Sequence, residues 1–129
     1  MTIVDTSIMV AFLKGLPDAV DKIDELTKSG NVSITTLTYY ELLKGASLSS
    51  RRQENLSEIT KAIASLEVVD LSLAACAEAA EIYHELKEAG CMIGEFDIII
   101  AAIARTKHEV LLTHDKHFKC VKGLEIANW

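Results

Sequence analysis

Short runs of β-branched and aliphatic residues alternate along this chain with longer segments whose apolar positions recur at helical spacing. Thr2–Val4, Val32–Thr35, 68–71, Val110–Leu112 and 124–127 read as short strands, the last an edge strand. A compact helix spans 8–13 and closes on Gly15 in the left-handed cap position. Pro17 opens the next helix, with Leu16, Val20, Ile23 and Leu26 on one stripe and Asp18, Asp21, Asp24 and Glu25 on the solvated face. A third helix runs over 36–45, where Thr38-x-x-Glu41 matches a capping box. Segment 49–66 holds a charged helix with Leu56, Ile59, Ile63 and Leu66 at helical spacing. Ser72 caps a long Ala-rich helix that ends at Gly90 and packs through Leu73, Ala77, Ala80, Tyr83, His84 and Leu86.

The stretch 94–118 departs from this amphipathic pattern. Asp97 is followed by Ile98, Ile99, Ile100, Ala101, Ala102, Ile103 and Ala104, apolar almost all round, and a helix of that kind is buried. Arg105, Lys107 and His108 then suit the negative end of the helix. The strand Val110–Leu112 breaks into the polar turn Thr113-His114-Asp115-Lys116, which puts Asp115 at a strand's carboxyl end, where open parallel sheets bind ligands.

Strands alternating with helices at this rhythm predict a three-layer α/β/α domain with a mainly parallel central sheet and right-handed crossovers. In that arrangement Asp5, Glu41, Asp97 and Asp115 all fall at equivalent ends of the strand–helix units. Each has an ordinary reading alone. Asp5 suits an N-cap, although Thr6 and Ser7 cap equally well; Glu41 suits the capping box, Asp97 its own helix dipole, and Asp115 a turn. Four such placements at one sheet edge are harder to dismiss. Clustered carboxylates raise one another's pKa unless a cation separates them, and an all-oxygen donor set selects Mg²⁺ or Mn²⁺ over zinc or copper. No Ser or Cys stands in a nucleophile–His–acid pattern, so water is the expected attacking group.

Composition narrows the picture further. The 129 residues suit one domain, 1–129, and half of them are apolar. No apolar run reaches the length of a membrane span, and the start MTIVDTS lacks the pattern of a secretory signal, which predicts a cytoplasmic protein. Cys76, Cys91 and Cys120 are odd in number with no CxxC spacing and read as reduced thiols. A net charge of −6 opposes a plain basic nucleic-acid surface, less so if several of the acids form a buried cation site. His114 and His117 flank Asp115 and are ordinary or second candidates for the site.

With those residues in place, the sequence resembles the PIN-domain nucleases and, within them, the VapC toxins of prokaryotic toxin–antitoxin pairs. Ile3-Val4-Asp5-Thr6-Ser7 is similar to the family's first motif, and Glu41-Leu42-Leu43-Lys44-Gly45 to its second. Gly90-x-x-Ile93-Gly94-x-x-Asp97-x-x-Ile100-Ala101-Ala102-x-Ala104 is similar to the third and is the most specific match. Leu112-Thr113-His114-Asp115-x-x-Phe118 resembles the fourth, with Gly123-Leu124 and a terminal Asn128-Trp129 beyond it; His114 stands where Asn is common. The resemblance covers the whole chain. It implies a PIN fold and metal-dependent hydrolysis of RNA by a metal-activated water. Asp5, Glu41, Asp97 and Asp115 would be the metal-binding acids, with Thr6 and Thr113 orienting carboxylates or water. It also implies a homodimer and a VapB-type antitoxin whose tail enters the groove. A cluster of carboxylates is a natural receptor for an arginine of that tail, and Ile8, Met9, Phe12, Leu42 and Leu43 are candidates for its apolar contacts, with ordinary core at least as good a reading of those five. Glu95 reads as first-turn helix charge.

Two other classes fit less well. A haloacid-dehalogenase-like phosphatase needs a second acid two residues after Asp5, where Ser7 stands, and a receiver domain needs adjacent acids early in the chain. A PIN-like module that binds RNA or protein without cleaving it has no use for four acids.

Overall fold

The computed structural model describes residues 1–128, and Trp129 of the terminal motif lies outside the described residues. Five strands, β1 (Thr2–Val4), β2 (Val32–Thr35), β3 (Glu67–Val69), β4 (Val110–Leu112) and β5 (Ile126–Ala127), form one sheet in the order β3-β2-β1-β4-β5. Every described pairing is parallel, with Ile3 opposite Ser33 on one side and Leu111 on the other. The chain winds outward from β1 to β2 and β3, then returns to place β4 and β5 on the opposite flank. The boundary between β1 and β4 is therefore a topological switch point, and its carboxyl end is where this kind of sheet opens a crevice.

Strand alternation sorts the core into two layers. Ile3 and Leu111 point into one cluster with Ile82, Leu86, Ile98, Ile100, Ile103 and Phe118, supplied by α5 (Leu73–Ala89), α6 (Glu95–Lys107) and the 3₁₀ turn Lys116–Cys120. Val4, Ile34 and Leu112 point into the other with Ile8, Met9, Ile23, Leu42 and Ile59. That layer comes from α1 (Thr6–Leu13), α2 (Pro17–Lys28), α3 (Thr36–Ser47) and α4 (Arg52–Ile63). Among the described residues no helix is long and apolar enough to cross a membrane.

The nearly all-apolar helix behaves as its composition predicts: Ile98 and residues 100–104 are buried, and only Ile99 of the run is partly open. α5 corrects the expected packing face. Ala75, Ile82 and Leu86 are its buried residues, while Leu73, Ala77, Ala80, Tyr83 and His84 are exposed. Both faces of an Ala-rich helix look alike in sequence, and Leu73 and Tyr83 drew the reading to the wrong one. A second correction concerns the cysteines. Cys91 and Cys120 form a disulfide with Cα atoms 6.4 Å apart, and only Cys76 is a free, exposed thiol. Their 29-residue separation hid a contact that the fold makes by packing the turn after α5 against the 3₁₀ turn.

Candidate active site

β1 ends at Val4, and Asp5 takes the N-cap position of α1 in extended conformation. Its Oδ1 accepts the Thr6 N–H at 2.8 Å and its Oδ2 accepts the Thr113 hydroxyl at 2.8 Å and the Ser7 hydroxyl at 3.3 Å. Asp5 itself is therefore the cap, and Thr6 and Ser7 do not relieve it of that role. The two β-ends are also tied through the backbone, with Asp5 N–H donating to Leu112 O at 3.0 Å. Thr113 bridges onward: its oxygen accepts the Asp115 N–H at 3.0 Å while its hydroxyl donates to Asp5. The short polar turn after β4 is thereby locked to the end of β1.

Glu41 reaches the same place from α3. The cap of this helix is Thr35, which accepts the Thr38 N–H, so Thr38-x-x-Glu41 is not a capping box. Glu41 lies one turn further along, and its Oε1 accepts the Thr6 hydroxyl at 2.8 Å. Thr6 thus holds two acids, Asp5 through its N–H and Glu41 through its hydroxyl.

Asp97 stands in the first turn of α6 behind the cap residue Gly94. A Cβ built on Gly94 would come within 3.3 Å of Asp97 Oδ2, so the glycine leaves room for this carboxylate to lie over the helix start. Asp115 Oδ1 accepts the His117 N–H at 2.9 Å and lies 2.8 Å from His117 Nδ1. The exposed imidazole of His117 therefore sits on the outer side of the cleft. Asp5, Thr6, Ser7, Glu41, Asp97, His114 and Asp115 line one cleft of about 490 Å³. All four predicted acids are in that lining. Glu95 is not; it borders an apolar groove between α5 and α6 instead.

No Lys or Arg lines the cleft, and the electrostatics follow from that. Burial pushes the Asp5 carboxyl above its usual range, against the lowering effect of its Thr113, Thr6 and Ser7 hydrogen bonds, and Asp115 pushes it further. Asp97 is pushed up to about 6, first by burial and then by the charges of Asp5, Asp115 and Glu41, with His117 opposing. Among the described residues no three His, Cys, Asp or Glu side chains form a ready-made cage for a metal. The donor set nevertheless fits a hard divalent cation. Its four acids offer only oxygen, with His114 the one nitrogen-bearing side chain in the lining, and they carry uncompensated negative charge in an open cleft; Mg²⁺ is commonly held by one or two carboxylates with water completing its shell.

Sequence reading missed three contributors here. Thr35 was visible only as a strand residue, Thr38 as the cap of a capping box, and Gly94 only as part of a motif. Their signal was the Thr35-x-x-Thr38 spacing of a side-chain cap and a glycine three residues before a first-turn acid.

A family model described as "PIN domain" matches residues 2–124. The chain is 30% identical over 127 residues to ribonuclease VapC2 of Rickettsia felis, covering 97% of this chain and 95% of the relative. It is 31% identical over 126 residues to the tRNA(fMet)-specific endonuclease VapC of Shigella flexneri, with the same coverage. Among solved structures, VapBC2 of Rickettsia felis bound to a DNA fragment from its promoter matches with a TM-score of 0.92 at 28% identity, covering 99% of this chain and 98% of that one. DNA-bound VapBC of Salmonella typhimurium matches with the same TM-score and identity, over 99% and 97%.

Proposed function

The chain belongs to the PIN domain family, and on that premise we propose that it is the ribonuclease toxin of a VapBC-type toxin–antitoxin pair. The observation that carries this reading is the cleft at the β1–β4 switch point, where Asp5, Glu41, Asp97 and Asp115 gather without a cation of their own. Its substrate is RNA and its cofactor Mg²⁺ or Mn²⁺. Asp5, Glu41, Asp97 and Asp115 hold the cation, directly or through water. When bound, a divalent ion supplies acidity to water and stabilises charge on the leaving oxygen. The protein's part is orientation. Thr113 and the Thr6 N–H fix the two oxygens of Asp5, the Thr6 hydroxyl fixes Glu41, and the Gly94 cap leaves Asp97 free to turn into the cleft. With no Lys or Arg in the lining, the ion also screens the acids from the substrate phosphate, which they would otherwise repel.

The assembly follows the relatives. An apolar groove of about 490 Å³ lined by Ser7, Ile8, Ala11, Leu16, Pro17, Asp18, Ala19 and His114 shares Ser7 and His114 with the acidic cleft. A VapB-type antitoxin segment with apolar side chains followed by an arginine would fill both at once, its guanidinium paired with the carboxylates. Of the residues first expected to line such a groove, Ile8, Met9 and Leu42 are core, and of the five only Ile8 also borders the groove. The homodimer is supported by the apolar side chains of Tyr40, Leu73, Tyr83 and Phe96, which stand exposed on α3, α5 and α6. A cytoplasmic site of action accords with an RNA substrate.

The test is cleavage of a labelled RNA by purified protein. EDTA abolishes cleavage, Mg²⁺ or Mn²⁺ restores it, and cognate antitoxin blocks it. Cleavage unaffected by chelation sinks the metal-dependent reading, and a folded protein that cuts no RNA with either metal is a binding module.

A further inference from the structure

Thr35 and Thr38 are both fully buried, and nothing in the assignment of the acids accounts for them. A buried threonine hydroxyl left without partners destabilises the fold, so its hydrogen bonds must be made somewhere. The two threonines satisfy each other in part: Thr38 N–H donates to Thr35 Oγ1 at 3.1 Å, and the Thr35 hydroxyl donates to Thr38 Oγ1 at 3.4 Å. Thr38 Oγ1 in turn lies 3.0 Å from Thr6 Oγ1, a contact in which either hydroxyl has the geometry to donate. Glu41 decides the direction. An ionised carboxylate only accepts, so the Thr6 proton is committed to Glu41 Oε1 at 2.8 Å, and Thr38 must donate to Thr6.

We propose that Thr35 and Thr38 are positioning residues that aim Glu41 through a one-way chain of hydroxyls. The chain runs from the Thr38 N–H through Thr35, Thr38 and Thr6 to the Glu41 carboxylate. Each hydroxyl donates once toward the acid and accepts once from behind, so the bonds polarise one another and the charge of Glu41 sets their common sense. The chain starts at the cap of α3 and ends on an acid one turn along the same helix. It therefore ties Glu41 to the end of β2 by a route that crosses to α1, and with it the cleft acids of two separate helices. The counterpart on the other side is shorter, from the Asp115 N–H through Thr113 to Asp5. The inference rests on the reading of Glu41 as a cation-binding acid, but the geometry it assigns exists without a cation.

The experiment pairs Thr38→Val, which replaces the hydroxyl with a methyl group, with Thr38→Ser, which keeps the hydroxyl. Two readouts are taken on the full chain: metal-free crystal structures, and Mn²⁺ affinity by electron paramagnetic resonance titration. In Thr38→Ser, Glu41 Oε1 stays on Thr6 Oγ1 and affinity holds within about threefold of the parent, whereas in Thr38→Val Glu41 leaves Thr6 and affinity falls about tenfold, within the range usual for groups that orient metal ligands. Thr38→Ala, which adds no new contact, takes the place of Thr38→Val should that variant not fold. A valine or alanine variant whose Glu41 keeps its place and whose Mn²⁺ affinity equals the parent's overturns the proposal. A parent that binds no Mn²⁺ refutes the cation reading of the site, and the position of Glu41 in the metal-free crystals then still decides the hydroxyl chain.

Discussion

The two ends of α6 both meet carboxylates, and they deal with them in opposite ways. At its C-terminal end Arg105 donates to Glu78 at 2.5 Å, to Glu85 at 3.1 Å and to the Lys122 carbonyl at 2.9 Å, so two acids and a backbone oxygen share one mostly buried guanidinium. At its N-terminal end Asp97 faces Asp5, Glu41 and Asp115 with no cation lining the cleft. Acids that serve the fold come with their counter-charge, and those left without one are held in place against their own repulsion. That contrast, within a single helix, separates structural charge from chemical charge better than any one of the residues does.

The largest expected effect comes from removing a charge at the uncompensated end. Asp97→Asn keeps the shape and lowers RNA cleavage about a thousandfold or more, since a cation site contributes several kcal/mol to the transition state. The same substitution leaves the metal-free fold intact and relieves repulsion, so the melting temperature holds or rises. A variant that cleaves like the parent, or that melts well below it, would place Asp97 with the structural acids.

Arg105→Met sharpens the comparison from the other side. Taking away the shared cation leaves the partly exposed Glu78 and Glu85 without their partner and destabilises the protein by about 1 kcal/mol. Cleavage per folded molecule is unchanged, because the substitution is at the far end of α6 from Asp97. Urea unfolding and an activity assay at a temperature where both proteins are folded check this. Lost activity in a stable variant would mean that the two ends are coupled, and the separation drawn above would fail.

How far these two ends could be read beforehand differs with their physics. The sheet and the positions of the acids were legible because each rests on local pattern: apolar runs of strand length, a helix apolar all round, an acid directly after β1 and another in the short turn after β4. The Arg105 cluster was not. It depends on α5 presenting Glu78 and Glu85 toward α6, and α5 is the helix whose packing face was misread. The Cys91–Cys120 bond and the Thr38–Thr6 contact were hidden for the same reason, as they join segments 29 and 32 residues apart through tertiary packing. Thr38-x-x-Glu41 misled because a capping box is a local rule, and here the helix already begins at Thr36, so Thr35 takes the cap and Thr38 lies inside the first turn.

The smallest effect tests the electrostatics of the uncompensated end directly. Asp97 has a carboxyl near 3.8 when unfolded and is pushed up to about 6 in the folded protein. The folded state thus holds this proton more tightly, and linkage gives the sign: the resulting stability is fully present below about 3.8 and is lost as the pH rises through about 6. Metal-free protein should therefore become less stable between pH 4.5 and 7, by about 1 kcal/mol once the partial exposure of Asp97 is allowed for. This is the reverse of a carboxylate that gains a cation on folding. Asp5 adds to the trend with the same sign, because its carboxyl is also raised. The measurement is the melting temperature in EDTA across that pH range for the parent and for Asp97→Asn, the difference between the two isolating Asp97 together with the acids it couples to. The variant gains on the parent as the pH rises, and Mn²⁺ at neutral pH closes the gap by supplying the parent with the charge that Arg105 supplies at the other end of the helix. A difference that stays constant with pH would show that neither burial nor the neighbouring acids raise the Asp97 carboxyl, and the cleft would then have no electrostatic claim on a cation.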